Sequence, residues 1–188
     1  IKAKPFRAYT LPLLSFVSHR RIESSLHMIY EDLQIEDLWL GYFAVSSNLS
    51  NHRLEVHQYG SVAKALRASS ALPGIVPPAL DNGQLLLDGA VLNNLPGDIM
   101  RQFCTRVVAL DVAKQSSMAL SVTHTPSPLQ WLSARIRKLS EVSTFPDILS
   151  VIFGALLLAS EAHTKQVKES VDTYVHLPTD GFSLLNFN

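Results

Sequence analysis

The order of apolar and polar positions along the chain predicts helices and strands that take turns. In SFVSHRRIESSLHMIYED, residues 15–32, Ile22, Leu26 and Ile29 recur at helical spacing, and Glu31 and Asp32 close the segment. DLWLGYFAVSSNL (37–49) is rich in aromatic and β-branched residues and HRLEVHQY (52–59) alternates, so the pair predicts a β-hairpin. Ser61 stands where an N-cap belongs, ahead of a helix that turns Val62, Ala65, Leu66 and Ser69 to one side and stops before Pro73 and Gly74. GIVPPAL (74–80) reads as extended, Asp81-Asn82-Gly83 as a tight turn, and QLLLD (84–88) as the strand leaving it. GDIMRQF (97–103) is a short helix. RVVALDVA (106–113) is a continuous apolar run, the pattern of a strand buried on both faces of a parallel sheet.

Residues 114–128 are polar and proline-bearing and read as a loop excursion. Beyond them Leu129, Leu132, Ile136 and Leu139 fall near one helical face, and ILSVIFGALLLA (148–159) opens a further helix running to about Ser170. That run is well short of the ~20 residues of a membrane span and is expected to be a buried helix. DTYVHLP (172–178) alternates like a last strand. Alternating strands and helices favour an α/β layered fold.

Composition narrows the function. With 188 residues and 47% apolar content the chain can bury one core, and a net charge of zero gives no basic footprint for nucleic acid. Cys104, the single cysteine, can form no internal disulfide and suits a reducing compartment, so the expected location is cytoplasmic. The chain opens on Ile1 without the ordered sections of a signal peptide, and the expectation is that the protein's start lies upstream. The seven histidines lack metal-ligand spacing, so neither a metal nor another cofactor is expected. His57 and His124 read as surface residues.

LLLDGAVLNNLP, residues 85–96, carries the chemical question, because a hydrophobic strand delivers a carboxylate, Asp88, to a glycine corner. By itself an Asp-Gly pair at a strand end is an ordinary turn. The wider stretch ALRASSALPGIVPPALDNGQLLLDGAVLNNLP, residues 65–96, resembles the patatin-like phospholipase family, in particular its bacterial and neuropathy-target-esterase-like lysophospholipase branch. The shared features are an Arg-Ala-Ser helix, a Pro-Gly-x-x-Pro-Pro segment and an Asp-Gly-Ala corner followed by Asn-Asn-x-Pro. The upstream hairpin IEDLWLGYFAVSSNLSNHRLEVHQYG and the terminal GFSLLNFN extend the likeness over most of the chain.

The resemblance implies a three-layer α/β hydrolase fold with a mostly parallel central sheet, incomplete here at its N-terminus, and residues 1–188 as the C-terminal portion of one such domain. It also implies a serine acyl hydrolase using a Ser-Asp dyad on phospholipid or lysophospholipid esters, with peripheral contact at a membrane. Asp88 then takes the place of the dyad base. Apolar neighbours such as Leu86, Leu87 and Val91 would raise its basicity, and Gly89 would let the backbone pass close to a bound ester. Ala90 and Pro96 belong to the same motif, and Asn93 and Asn94 read as hydrogen bonders that hold the loop.

The family's nucleophile sits in a G-x-S-x-G elbow and its oxyanion hole in a glycine-rich loop, and neither motif occurs in these 188 residues. An upstream segment of the same protein is therefore expected to complete the site. Ser69 and Ser70 end a helix without flanking glycines and are poor substitutes. Asp111, at the end of a presumed parallel strand, reads as a structural carboxylate. Trp131, Leu132 and Ile136 read as ordinary core packing rather than a lipid-facing stripe. The competing expectation is a non-catalytic lipid-binding or scaffolding module that lacks the nucleophile.

Overall fold

The computed structural model describes residues 19–112, 124–137, 146 and 148–177. The Lys114–Thr123 part of the expected loop, Leu139, the opening segment and the closing GFSLLNFN lie outside the described residues. α1 (His19–Tyr30) leads through a short 3-10 turn, Ile35–Asp37, to the hairpin β1 (Ala44–Asn48) and β2 (Arg53–His57). α2 (Val62–Ser69), β3 (Ala79–Asp81), β4 (Gln84–Asp88) and α3 (Gly97–Met100) follow, then β5 (Val108–Asp111), α4 (Pro128–Arg137), α5 (Ile148–Ser170) and β6 (Thr173–His176).

The strands form two sheets. One has the order β2-β1-β4-β3 and is antiparallel throughout, and the other pairs β5 with β6 in parallel. The parallel pairing expected for the central sheet is thus confined, among the described residues, to β5 and β6. All five β1 residues are buried, as suits a strand with a neighbour on each edge and cover on both faces. Ser47 stands opposite Leu54 and Leu87, and Ser46 opposite Glu55 and Asp88. β3 and β4 join through Asn82 and Gly83, both at positive φ (47° and 75°), which a two-residue hairpin turn requires and which asparagine and glycine tolerate best.

α2 begins where the sequence places it. The Ser61 hydroxyl accepts the Lys64 N–H at 3.4 Å, and Val62, Ala63, Ala65 and Ala68 are buried. Small residues on that face let the helix lie close on the sheet: Ala68 packs on Ala79 and Leu86, and Val62 and Ala65 pack with Ile35 and Ala44. Arg67 is buried as well. Its Nη2 donates to the Pro77 carbonyl at 2.8 Å and the Pro78 carbonyl at 3.4 Å, while Nε lies 3.9 Å from Glu23 of α1. The Arg-Ala-Ser and Pro-Pro motifs are therefore two halves of one structural clamp.

Four expectations are corrected. β5 is not buried on both faces: Ala109 and Asp111 are buried, whereas Val108 and Leu110 are 64% and 59% exposed. An unbroken apolar run has no alternation from which a covered face could be told. α5 is not a buried helix along its apolar run, because Val151, Ile152 and Leu158 are exposed, and the covered stripe is the more polar set Ser160, Thr164 and Val167. The α4 stripe is not core, since Leu129, Leu132 and Ile136 are exposed, whereas Ala134 is buried. In α1, Ile22 is buried against Val76, but Ile29 faces outward. Among the described residues no helix is long and apolar enough to cross a membrane.

The C-terminal half is locked by charged and close contacts. Arg101 reaches Asp172 at 2.7 Å and the carbonyls of Thr105 and Ser170 at 2.7 and 2.8 Å, and Asp172 accepts the Val107 N–H at 2.8 Å. A Cβ on Gly97 would lie 2.8 Å from both Val167 and Val171, so glycine there allows α3 to press on α5.

Candidate active site

β4 carries its apolar residues along the sheet and ends on Asp88, whose backbone N–H donates to the Ala71 carbonyl at 3.0 Å. That bond ties the strand end to the segment leaving α2. A 3-10 turn, Gly89–Val91, follows at once. The Asp88 carboxylate caps it, with Oδ1 accepting the Ala90 N–H at 2.8 Å, and Oδ2 has no hydrogen-bond partner among the described residues. Neither Arg67 nor Arg101 pairs with Asp88; their guanidiniums are engaged at the Pro77–Pro78 clamp and at Asp172. Burial raises the Asp88 pKa above its ordinary value, and the Ala90 N–H opposes that shift. A half-buried carboxyl with raised basicity and no ion-pair partner among the described residues has the electronic character of a general base.

Gly89 also meets a demand from across the sheet. A Cβ built on it would lie 2.6 Å from both Cγ2 and the carbonyl oxygen of Val45, so β1 passes too close for any side chain there. The Gly89 carbonyl accepts the N–H of Asn93 at 2.8 Å and of Leu92 at 3.1 Å, with the Ser47 hydroxyl at 3.5 Å. Asn93 is buried, and its side chain spans the loop: Oδ1 accepts the Leu95 N–H at 3.2 Å and Nδ2 donates to Asp98 Oδ1 at 2.9 Å. Asn94 is half-buried, and Pro96 is the residue before the first turn of α3.

Ser70, at the C-terminus of α2, donates its hydroxyl to the Leu66 carbonyl at 2.8 Å, the bond of a helix-end serine. Asp111 is buried and its Oδ2 receives the Tyr174 hydroxyl at 2.7 Å and Lys168 Nζ at 3.0 Å, which fastens β5 to β6 and α5. His57 is a correction to the surface reading. It is half-buried with Nε2 2.7 Å from Ser46 Oγ, and burial lowers its pKa against the opposing charges of Glu55 and Asp81. Ser46 is fully buried opposite Asp88, which withholds its hydroxyl from any ester. The alternation of HRLEVHQY puts His57 on the Glu55 face, but which face is covered depends on pairing with β1, and that is invisible in one strand. His124 is exposed. No group of three or more His, Cys, Asp or Glu side chains among the described residues has the arrangement to hold a metal ion.

The family model for patatin-like phospholipase matches residues 13–101, which include α2, the Pro-Pro clamp, β4 and the asparagine loop. The chain belongs to the patatin-like phospholipase family. It is 33% identical to human patatin-like phospholipase domain-containing protein 6 over 190 residues, covering 98% of the chain and 14% of that protein. It is 41% identical to mouse patatin-like phospholipase domain-containing protein 7 over 115 residues, covering 60% of the chain and 8% of that protein. Lysophospholipase NTE1 of Meyerozyma guilliermondii is 27% identical over 183 residues, 95% of the chain and 13% of that protein. The chain thus spans about one seventh or less of the length of these patatin-like relatives, and its mixture of helices and sheets agrees with the α/β class of the family.

Proposed function

We propose that this chain supplies the base of a serine acyl hydrolase that cleaves fatty acyl esters of phospholipids or lysophospholipids, and that Asp88 is that base. The observation that carries the reading is the state of Asp88: strand-end, half-buried, pKa raised by burial, one oxygen held by Ala90 and no cation beside it among the described residues. Relatives named as phospholipases and a lysophospholipase support the substrate class. In this reading the complete domain has the three-layer arrangement with a mostly parallel sheet, and β5–β6 belongs to its parallel part. A serine from a G-x-S-x-G elbow outside these 188 residues approaches Asp88 Oδ2.

The chemistry then runs in two balanced halves. The serine O–H proton passes to Asp88 as the serine oxygen attacks the ester carbonyl, and the oxyanion so formed needs donors from a loop also outside these residues. Collapse expels the lipid alcohol, which takes the proton from Asp88 and leaves an acyl-serine. Water repeats the exchange: Asp88 takes its proton, the acid departs and the serine recovers its hydrogen.

Access to lipid has support at the same end of the sheet. The antiparallel register puts the start of β1 and the end of β2 beside Asp88. The uncharged LWLGYF segment (38–43) leads into that end, with Trp39 103% and Leu40 81% exposed, and Tyr59, just past β2, is 78% exposed. Exposed tryptophan and tyrosine beside leucine suit the headgroup boundary of a bilayer, so this edge is read as the peripheral membrane contact.

The test is a fluorophosphonate probe on the full-length protein with the adduct located by mass spectrometry. The reading expects one labelled serine, in a G-x-S-x-G sequence outside residues 1–188. Stoichiometric labelling of Ser69 or Ser70 overturns it, and absence of any adduct favours the non-catalytic lipid-binding module.

A further inference from the structure

Past the Asp88 turn, a chain of side chains connects three elements. Asn93 Nδ2 donates to Asp98 Oδ1 at 2.9 Å, Asp98 Oδ2 lies 3.4 Å from His163 Nε2 on α5, and the Asn93 backbone N–H donates to the Gly89 carbonyl at 2.8 Å. Gly89 is the residue after Asp88 and is wedged against Val45, so its position and that of the carboxylate are set together. Asn93 is 3% exposed, which makes its amide costly to leave unpaired, whereas the Asp98–His163 contact is half exposed and supplies a brace rather than an anchor.

We infer that Asp98 is a positioning residue for the Asp88 base, acting through Asn93, with His163 bracing it from α5. This rests on the reading of Asp88 as base and adds to it the group that fixes where the carboxylate sits. Asp98 also lies in the first turn of α3, where a negative charge is favourable for its own sake. The two roles separate by chemistry. A helix-end charge is lost equally in Asp98→Asn and Asp98→Ala, but the positioning role needs an oxygen that accepts from Asn93, and asparagine keeps one.

The experiment is steady-state hydrolysis of a lysophospholipid by the full-length protein, with Tm recorded for every variant. Asp98→Ala is expected to lower kcat about 10- to 100-fold at nearly unchanged KM, the scale of a small misplacement of a reacting group, while Asp98→Asn stays within about 3-fold of wild type. Asn93→Asp sets carboxylate against carboxylate and is expected to fall about as far as Asp98→Ala. Combining it with Asp98→Asn reverses the hydrogen bond, so that position 98 donates to position 93, and is expected to recover most of the kcat. Equal losses in Asp98→Asn and Asp98→Ala, or a double variant no better than Asn93→Asp, overturn the proposal. Should Asp98→Ala fail to fold, Asn93→Asp and its combination with Asp98→Asn decide alone. Asp88→Asn, assayed alongside, separates the two levels: wild-type turnover in it removes the base and the positioning role together, whereas loss of turnover with unmoved Asp98 and Asn93 variants removes the positioning role only.

Discussion

Adding one methyl group at Gly89 is the sharpest structural perturbation of the Asp88 corner. An alanine Cβ there would sit 2.6 Å from Val45 Cγ2 and 2.6 Å from the Val45 carbonyl oxygen, far inside van der Waals contact. The side-chain clash can be relieved by rotating or removing a methyl, but the carbonyl belongs to β1, which is hydrogen-bonded on both edges. Overpacking of this kind costs about 1–3 kcal/mol. In a protein domain of this size that lowers Tm by about 2–12 °C. Val45→Ala alone loses two buried methyl-sized groups, roughly 2 kcal/mol. If both contacts matter, Gly89→Ala/Val45→Ala is less damaging than the sum of the singles, because the side-chain clash is gone, yet remains less stable than Val45→Ala, because the carbonyl clash stays. Urea denaturation of the four proteins gives the cycle. Additive losses would remove the Val45 side chain from the contact, and a Gly89→Ala variant as stable as wild type would refute the claim that β1 dictates glycine at this position.

Three further outcomes follow from the same corner and its surroundings. Because burial raises the Asp88 pKa, the folded chain holds that proton more tightly than the unfolded one, so stability falls as pH rises from the ordinary carboxylate value through the raised one; Asp88→Asn removes this fall and should gain stability over wild type across that window in pH-dependent denaturation. Turnover by the full-length protein needs the ionised base, so the acid limb of kcat/KM should lie above about pH 4, and a limb at or below that value would contradict a desolvated Asp88. Replacing Trp39 and Leu40 by alanine should weaken co-sedimentation of the full-length protein with phosphatidylcholine vesicles several-fold while sparing turnover of a short soluble ester, and unchanged vesicle binding would remove the LWLGYF edge from the membrane contact.

Much of the local structure is legible in the sequence because it rests on local chemistry. Ser61 caps α2, Asn82-Gly83 turns the β3–β4 hairpin, and Asp88 closes β4 because these residues meet backbone demands within three or four positions of themselves. What escapes the sequence is what partners decide. Val108 and Leu110 look like core and face outward, Ser160 and Thr164 look like surface and are buried, and Gly89 answers to Val45 across the sheet. The same holds for the site. The Asp88 motif is visible in one stretch, whereas the Asn93–Asp98–His163 chain needs α5 to be folded back on α3, and the Ser46–His57 pair needs the β1–β2 register.

The central claim is that Asp88 takes the nucleophile's proton. Asp88→Asn keeps the side chain's size and an oxygen for the Ala90 N–H while removing the base, so the fold should survive and the chemistry should not. Its kcat for lysophospholipid hydrolysis in the full-length protein is the most direct measurement. The account predicts a loss of at least about 10²-fold, the lower range for general-base catalysis, with Tm at or above wild type. Wild-type kcat in a correctly folded Asp88→Asn protein would contradict it.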